Sequence, residues 1–183
     1  MFEFTDSSAE QYTIAVHLVV IAHNIRSTHN IGSIFRTCDG FGVEHLYLTG
    51  YSPFPTLKND SRPPFIGEKL TKQIHKAALG AENNVSFSHS EQPEPVMSKL
   101  KQSGFVLVGL EQIPQSVPLS AFEAASKKIA LVLGEEVNGI SEEIQKLCDY
   151  FVEIPMRGKK ESFNVSVATG IALFGLTEMK QFE

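Results

Sequence analysis

Runs of β-branched and aliphatic residues alternate along this chain with segments whose apolar positions recur every three to four residues, the pattern of strands exchanging with helices. HLVVIAH (17–23), GVEHLYLTG (42–50), GFVLVGL (104–110), KIALVLG (128–134) and YFVEIP (150–155) read as strands, and NVSFS (84–88) as a shorter one. A helix is predicted from an N-cap at Asn30 to about Gly40, because Ile31, Ile34, Phe35 and Cys38 share one face. Further helices are predicted over 67–79, 91–102, 141–148 (capped by Ser141) and 164–181. The stretch YSPFPTLKNDSRPPF (51–65) is too long and too punctuated by proline to lie in a core and reads as a loop. This order predicts an α/β domain, a mostly parallel sheet flanked by helices, as one unit over 1–183 with 1–16 as a polar extension. The last helix is apolar nearly all round, from Val165 to Leu176, so more than one of its sides must be covered. A partner subunit and a central position within one chain both satisfy that requirement.

Composition narrows the function classes. No apolar run reaches the length of a membrane span, and the acidic start MFEFTDSSAEQY lacks the order of a secretion signal. Cys38 and Cys148 fall among apolar neighbours in predicted helices and read as buried free thiols, hence a reducing, cytoplasmic setting. The net charge of −5 is unfavourable for binding phosphates. Its distribution is not uniform. Between Lys58 and Lys76 positive charges exceed negative ones by three, and between Arg157 and Glu161 by two. A basic face on an acidic body can bind RNA, while solvated lysines are the simpler reading of the same residues. No C-x-x-C or H-E-x-x-H spacing is present, so no metal site is read, and no G-x-S-x-G or dinucleotide fingerprint is found.

Three segments carry the candidate chemistry. In NIRSTHNIGSIFRTCDGFG (24–42), Arg36 lies about 140° around the helix from Ile31, off the apolar face. In LVLGEEVNGIS (131–141), Gly134 closes an apolar strand, at the edge where α/β sheets commonly bind ligands. In IPMRGKKESFNVSVATG (154–170), a strand end passes through a basic, glycine-containing loop to a Ser-x-Asn step that opens the last helix. By themselves these read as a solvated arginine, a tight turn and a helix start.

Together, and in this order, the three resemble the signature motifs of the SpoU/TrmH family of RNA ribose methyltransferases, over about residues 19–176. The resemblance implies a deep trefoil knot in the C-terminal half, S-adenosylmethionine as methyl donor, a ribose 2′-hydroxyl of RNA as acceptor, and a homodimer. The chain resembles the compact form of the family, which implies transfer RNA as the favoured substrate, and ribosomal RNA stays open. On this resemblance Asn24 and Asn30 match the asparagines of the first motif and Arg36 its key arginine. Glu136 matches the glutamate of the G-x-E-x-x-G segment bounded by Gly134 and Gly139. Ser162 and Asn164 match the serine and asparagine beside cofactor and ribose. The implied catalytic set is Arg36, Asn30, Glu136, Ser162 and Asn164. The implied cofactor-binding set is Leu110, Glu111, Gly134, Ile154, Met156, Ser162 and Phe163, the last standing where leucine is commoner. Competing readings are a silent RNA-binding protein of the same fold and a small-molecule methyltransferase on the same scaffold.

Overall fold

The structure, a computed structural model, describes residues 16–177. Seven strands form one sheet in which every pairing is parallel: β1 (His17–His23), β2 (His45–Thr49), β3 (Phe87–Ser90), β4 (Val106–Leu110), β5 (Val117–Pro118), β6 (Lys128–Leu133) and β7 (Tyr150–Glu153). Their order is β3-β2-β1-β6-β4-β7-β5, so β6 lies between β1 and β4, strands that precede it in the chain. A parallel sheet is covered on both faces, which is why its central strands are apolar at consecutive positions. In β1, Leu18, Val20 and Ala22 enter one core, whereas Val19 and Ile21 enter the other.

The first core holds α1 (Thr28–Gly40), α2 (Pro64–Ala78) and α5 (Val165–Thr177). Ile31, Ile34, Phe35 and Cys38 of α1 are fully buried there, as their spacing predicts. The second core is closed by α3 (Glu94–Gln102), through Met97 and Leu100, and by α4 (Glu142–Gln145), through Ile144. Among the described residues no helix is long and apolar enough to cross a membrane.

Several boundaries differ from the sequence reading, each for a local reason. Ser27, not Asn30, caps α1: its hydroxyl accepts from the Asn30 backbone N–H at 3.2 Å, and Asn30 itself is buried within the first turn. Helix α2 begins earlier, at Pro64, where a proline's missing N–H is harmless. Helix α3 begins later, at Glu94, after Pro93. Helix α4 stops at Gln145, and the Ser141 side chain makes no capping bond. Cys148 therefore lies beyond a helix and is half-buried. Both cysteines are free thiols, and burial pushes each up to about 12, so neither is a ready nucleophile. The expected extension at 1–16 falls almost wholly, and the expected last turn of the final helix wholly, outside the described residues. The two-residue β5 and single 3₁₀ turns at Ala81–Asn83 and Leu119–Ala121 have no counterpart in the sequence reading.

The proline-rich loop before α2 is ordered by one arginine. Arg62 donates through Nε and Nη2 to both Asp60 oxygens and through Nη1 and Nη2 to the carbonyls of Phe54 and Pro55. Its guanidinium carbon lies 3.4 Å from the Phe54 ring centroid, and the Phe54 ring stacks on His89 at 4.0 Å. The hydrogen bonds from Arg62 hold the Asp60 carboxyl well below its ordinary value of 3.8. A depressed carboxylate stabilises the fold above its unfolded value, and that contribution is lost as pH falls toward the folded value. Thermal melting of wild type and Asp60→Asn should therefore differ most above about pH 4 and converge between about pH 4 and pH 2. A gap that stays constant down to pH 2 would contradict this assignment.

Candidate active site

Parallel strands deliver all their C-terminal ends to one edge, and the site forms there. A cleft of about 520 Å³ opens between the ends of β4, β6 and β7 and the start of α5. Its size falls in the range of small-molecule and cofactor sites. Leu110 and Glu111 reach it from β4, Gly134 and Glu136 from the loop after β6, Ile154 from β7, and Ser162, Phe163 and Asn164 from the approach to α5. Met156 is half-buried and lies outside the cleft wall. Gln112, Val137, Val165 and Ala168 also line the cleft, although no motif singles them out.

The loop after β6 is folded tightly enough to require both glycines. Glu135 and Gly139 exchange backbone hydrogen bonds at 3.0 Å each, closing the turn. A Cβ on Gly134 would stand 2.4 Å from the Gly139 carbonyl carbon. Gly139 has φ +67°, and a Cβ there would stand 2.0 Å from Glu111 Oε2. That carboxylate oxygen accepts from the Ile140 backbone N–H at 2.9 Å, and its Oε1 accepts from Gln112 N–H at 3.0 Å. Glu111 therefore ties the end of β4 to the loop after β6.

Gly139→Ala is expected to cost about 1–3 kcal/mol of stability, from left-handed strain alone, and more through the clash with Glu111. Gly42 has a similar φ of +63° but open space around it. Urea unfolding of Gly139→Ala and Gly42→Ala should separate the two effects, the first variant losing more. Equal losses would mean that the Glu111 contact is without consequence.

Three polar side chains from distant parts of the chain form a continuous relay, from half-buried Glu136 through buried Asn30 to exposed Asn164. Asn30 Nδ2 donates to Glu136 Oε1 at 3.1 Å, and Asn164 Nδ2 donates to Asn30 Oδ1 at 3.1 Å. Asn164 Oδ1 accepts from the Ser166 backbone N–H at 2.9 Å and from its hydroxyl at 2.7 Å, fixing the start of α5. Glu136 Oε2 accepts from the Arg26 backbone N–H at 3.3 Å. The carboxylate thus sits at the N-terminal end of α1, where the helix dipole favours negative charge. An ionised carboxylate is only an acceptor, so the orientation of both amides follows from Glu136 onward. Asn30, Glu136 and Asn164 are brought together in this way, with Ser162 exposed beside them on the cleft wall.

Two residues of the first motif lie elsewhere. Asn24, with φ 57°, ends β1 and accepts through Oδ1 from the Tyr51 backbone N–H at 3.2 Å, joining β1 to the loop after β2. Arg36 is exposed, about 9 Å further along α1 than Asn30, and does not line the cleft.

The electrostatics are one-sided. Glu111, Glu135, Glu136, Glu153 and Glu161 line the cleft, and among the described residues no lysine or arginine does. Such a wall attracts a cationic ligand and repels a phosphate.

Residues 64–174 match the family model described as the SpoU rRNA Methylase family. The chain belongs to that family. It is 33% identical over 157 residues to the tRNA (guanosine(18)-2′-O)-methyltransferase of Aquifex aeolicus, an alignment covering 86% of this chain and 67% of that protein. The crystal structure of the A. aeolicus TrmH/SpoU tRNA modifying enzyme superposes with a TM-score of 0.73 at 30% identity, covering 91% of this chain and 76% of the other. The SpoU methyltransferase AviRb from Streptomyces viridochromogenes, solved with AdoMet, shares the fold at a TM-score of 0.73 and 24% identity, over 91% of this chain and 59% of that one. Other curated relatives are longer, and the chain spans 42%, 56% and 54% of three of them. Asn30 lies 106 residues before Glu136 and 134 before Asn164, and folding joins the three in one relay.

Proposed function

We propose that this SpoU-family protein transfers the methyl group of S-adenosylmethionine to a ribose 2′-hydroxyl of RNA, with transfer RNA the favoured substrate and ribosomal RNA the second. The observation that carries this reading is the carboxylate-lined cleft that meets the Glu136–Asn30–Asn164 relay at the C-terminal edge of the sheet. The cofactor supplies a methyl group already activated on a sulfonium. Its sulfonium and ammonium charges suit a wall of five glutamates and no basic residue. Leu110, Ile154 and Phe163 offer apolar surface for its adenine, and Ser162 and Asn164 offer polar groups at the open side.

The remaining work of the protein is alignment and the handling of one proton. The relay holds Asn164 and Glu136 in fixed orientation at the cleft. Arg36 is assigned to the acceptor hydroxyl. A guanidinium remains protonated and offers no acceptor. Arg36 therefore stabilises the developing alkoxide, and another group or water takes the proton.

Since Arg36 does not line the cleft of its own chain, it serves the cleft of a second copy. The flank of α5 supports a homodimer: Val167, Ile171 and Phe174 are 50%, 36% and 48% exposed. Gly170, beside Ile171, approaches Thr37, beside Arg36, so the apolar strip borders the arginine. The reading extends to a deep trefoil knot in the C-terminal segment, supported by the insertion of β6 between β1 and β4 and by the approach of the loops after β6 and β7 to one cleft. It extends also to a cytoplasmic location, which suits two free thiols.

The test is incorporation of labelled methyl groups from S-adenosylmethionine into unmodified transfer and ribosomal RNA by the purified protein. Label in RNA supports the reading. Cofactor binding without transfer to either RNA would favour a silent RNA-binding protein.

A further inference from the structure

A second cleft, about 700 Å³, adjoins the first at the ends of β1, β2 and β3. Its walls include Arg26, Tyr51, Phe54, Arg62 and His89. The two clefts share a border. Arg26 lines the second cleft, while its backbone N–H is bonded to Glu136 of the first. The Tyr51 phenol is pushed up by burial first and then by the charge of Glu135, another residue of the first cleft.

Their charges differ. The first cleft has five carboxylates and, among the described residues, no cation, whereas the second has the unpaired Arg26 against Glu91, and Arg62, whose charge Asp60 neutralises. Leu70 and Gln73 of α2 also line the second cleft, and Lys69 and Lys72 beside them are exposed. Donor and acceptor in a methyl transfer must approach from opposite sides of the reacting carbon. A cation-binding cleft and an anion-binding cleft meeting at Glu135 and Glu136 fit that requirement.

Two side chains at the border are available to a ligand. Tyr51 is 54% exposed and offers its ring face, while its hydroxyl is hydrogen-bonded to Glu135 and its backbone is tied down by Asn24. Arg26 is exposed, and its guanidinium makes no hydrogen bond or ion pair to the protein among the described residues. Arg62, by contrast, spends its donors on Asp60, Phe54 and Pro55 and serves as a rigid wall. The stack of Arg62, Phe54 and His89 continues to Gly50, whose carbonyl accepts from His89 Nε2 at 2.9 Å. Tyr51 thus projects from a braced loop.

We infer that this second cleft receives the RNA nucleotide whose ribose is methylated, its base stacked on Tyr51 and its phosphate held by Arg26. The inference rests on the RNA-methyltransferase reading above. An aromatic face accepts any unpaired base, which suits a nucleotide drawn out of a loop, and an arginine beside it holds the backbone without reading sequence.

The test compares the full chain with Tyr51→Ala, Tyr51→Phe and Arg26→Gln, none of which removes the backbone bonds at 24–26 and 51. Tyr51→Ala and Arg26→Gln should each lower kcat/KM for RNA by about tenfold or more, the range of a lost base stack. Tyr51→Phe should stay near wild type, and S-adenosylmethionine affinity should not move in any variant. A Tyr51→Ala protein with wild-type kcat/KM, or one that loses cofactor affinity in parallel, overturns the inference. A second arm applies ultraviolet cross-linking of the wild-type protein to mixed transfer and ribosomal RNA, followed by sequencing of the adducts. An adduct at Tyr51 or its neighbouring loop supports the cleft even where no methyl is transferred, so that the methyltransferase reading then fails alone. Adducts found solely outside this cleft, or none at all, overturn the inference whatever the methyl assay gives.

Discussion

Arg36→Ala is expected to lower methyl transfer by about 10²–10³-fold, the loss seen when one group aimed at a developing oxyanion is removed. Cofactor affinity should stay near the wild-type level, because Arg36 is assigned to the acceptor hydroxyl and not to the cofactor. The same geometry makes a sharper prediction for mixed proteins. Arg36→Ala and Glu136→Ala subunits, each inactive alone, should regain activity when reassembled together. In the proposed homodimer, a mixed pair would set the intact arginine of one copy against the intact glutamate of the other, so that one of its two sites would be whole. Random reassortment then yields on the order of a quarter of the wild-type rate. Activity measured before and after reassortment decides the matter, and no recovery would mean that each chain uses its own arginine. Arg36→Lys separates charge from shape: a lysine cannot reproduce the planar fork. Near-wild-type rates and an unchanged pH profile in Arg36→Lys would remove any special part for the guanidinium.

Asn30→Asp is expected to damage both stability and activity, more than Asn30→Ala does. The wild-type amide donates to Glu136 and accepts from Asn164, each at 3.1 Å, in a buried position. Alanine removes one hydrogen bond each from half-buried Glu136 and exposed Asn164, at about 0.5–1.5 kcal/mol for each bond lost. Aspartate is the same shape but sets a second carboxylate against Glu136 at hydrogen-bond distance. Two such groups cannot both be ionised, so the pair takes up a proton and its apparent value rises. A raised carboxyl favours the folded state at low pH and is a liability as pH rises through that value. Thermal melting of Asn30→Asp should therefore approach wild type in mild acid and fall away toward neutrality, while Asn30→Ala keeps a constant deficit. Parallel pH profiles for the two variants would show that Asn30 does not donate to Glu136.

Much of the architecture was legible from local patterning. The runs that became β1, β4, β6 and β7 are β-branched and bounded by turn residues, and the spacing in α1 names its buried face. What stayed hidden depends on partners far away in sequence. Asn30 has the chemistry of a cap, and only its contact with Glu136, 106 residues on, makes it a buried relay member. Ser27, three residues earlier, is an equally good cap by composition, so no local rule separates them. Strand β5 has two residues and exists through its pairing with β7. Within the cleft, the G-x-E-x-x-G spacing is readable as a turn, but the reason for Gly139 is the Glu111 carboxylate, which arrives from another strand. Tyr51 carries no motif at all. Its position follows from the left-handed Asn24 and the Arg62–Phe54–His89 stack, and a proline-rich stretch announces only a loop.

The central claim is that the oxygen methylated belongs to the ribose. The most direct measurement is alkaline digestion of RNA labelled by the protein from methyl-labelled S-adenosylmethionine, followed by separation of the products by size. A methylated 2′-oxygen cannot attack the adjacent phosphate, so label recovered in alkali-resistant dinucleotides is the result this account predicts. Label released wholly in mononucleotides would place the methyl group on a base and contradict it.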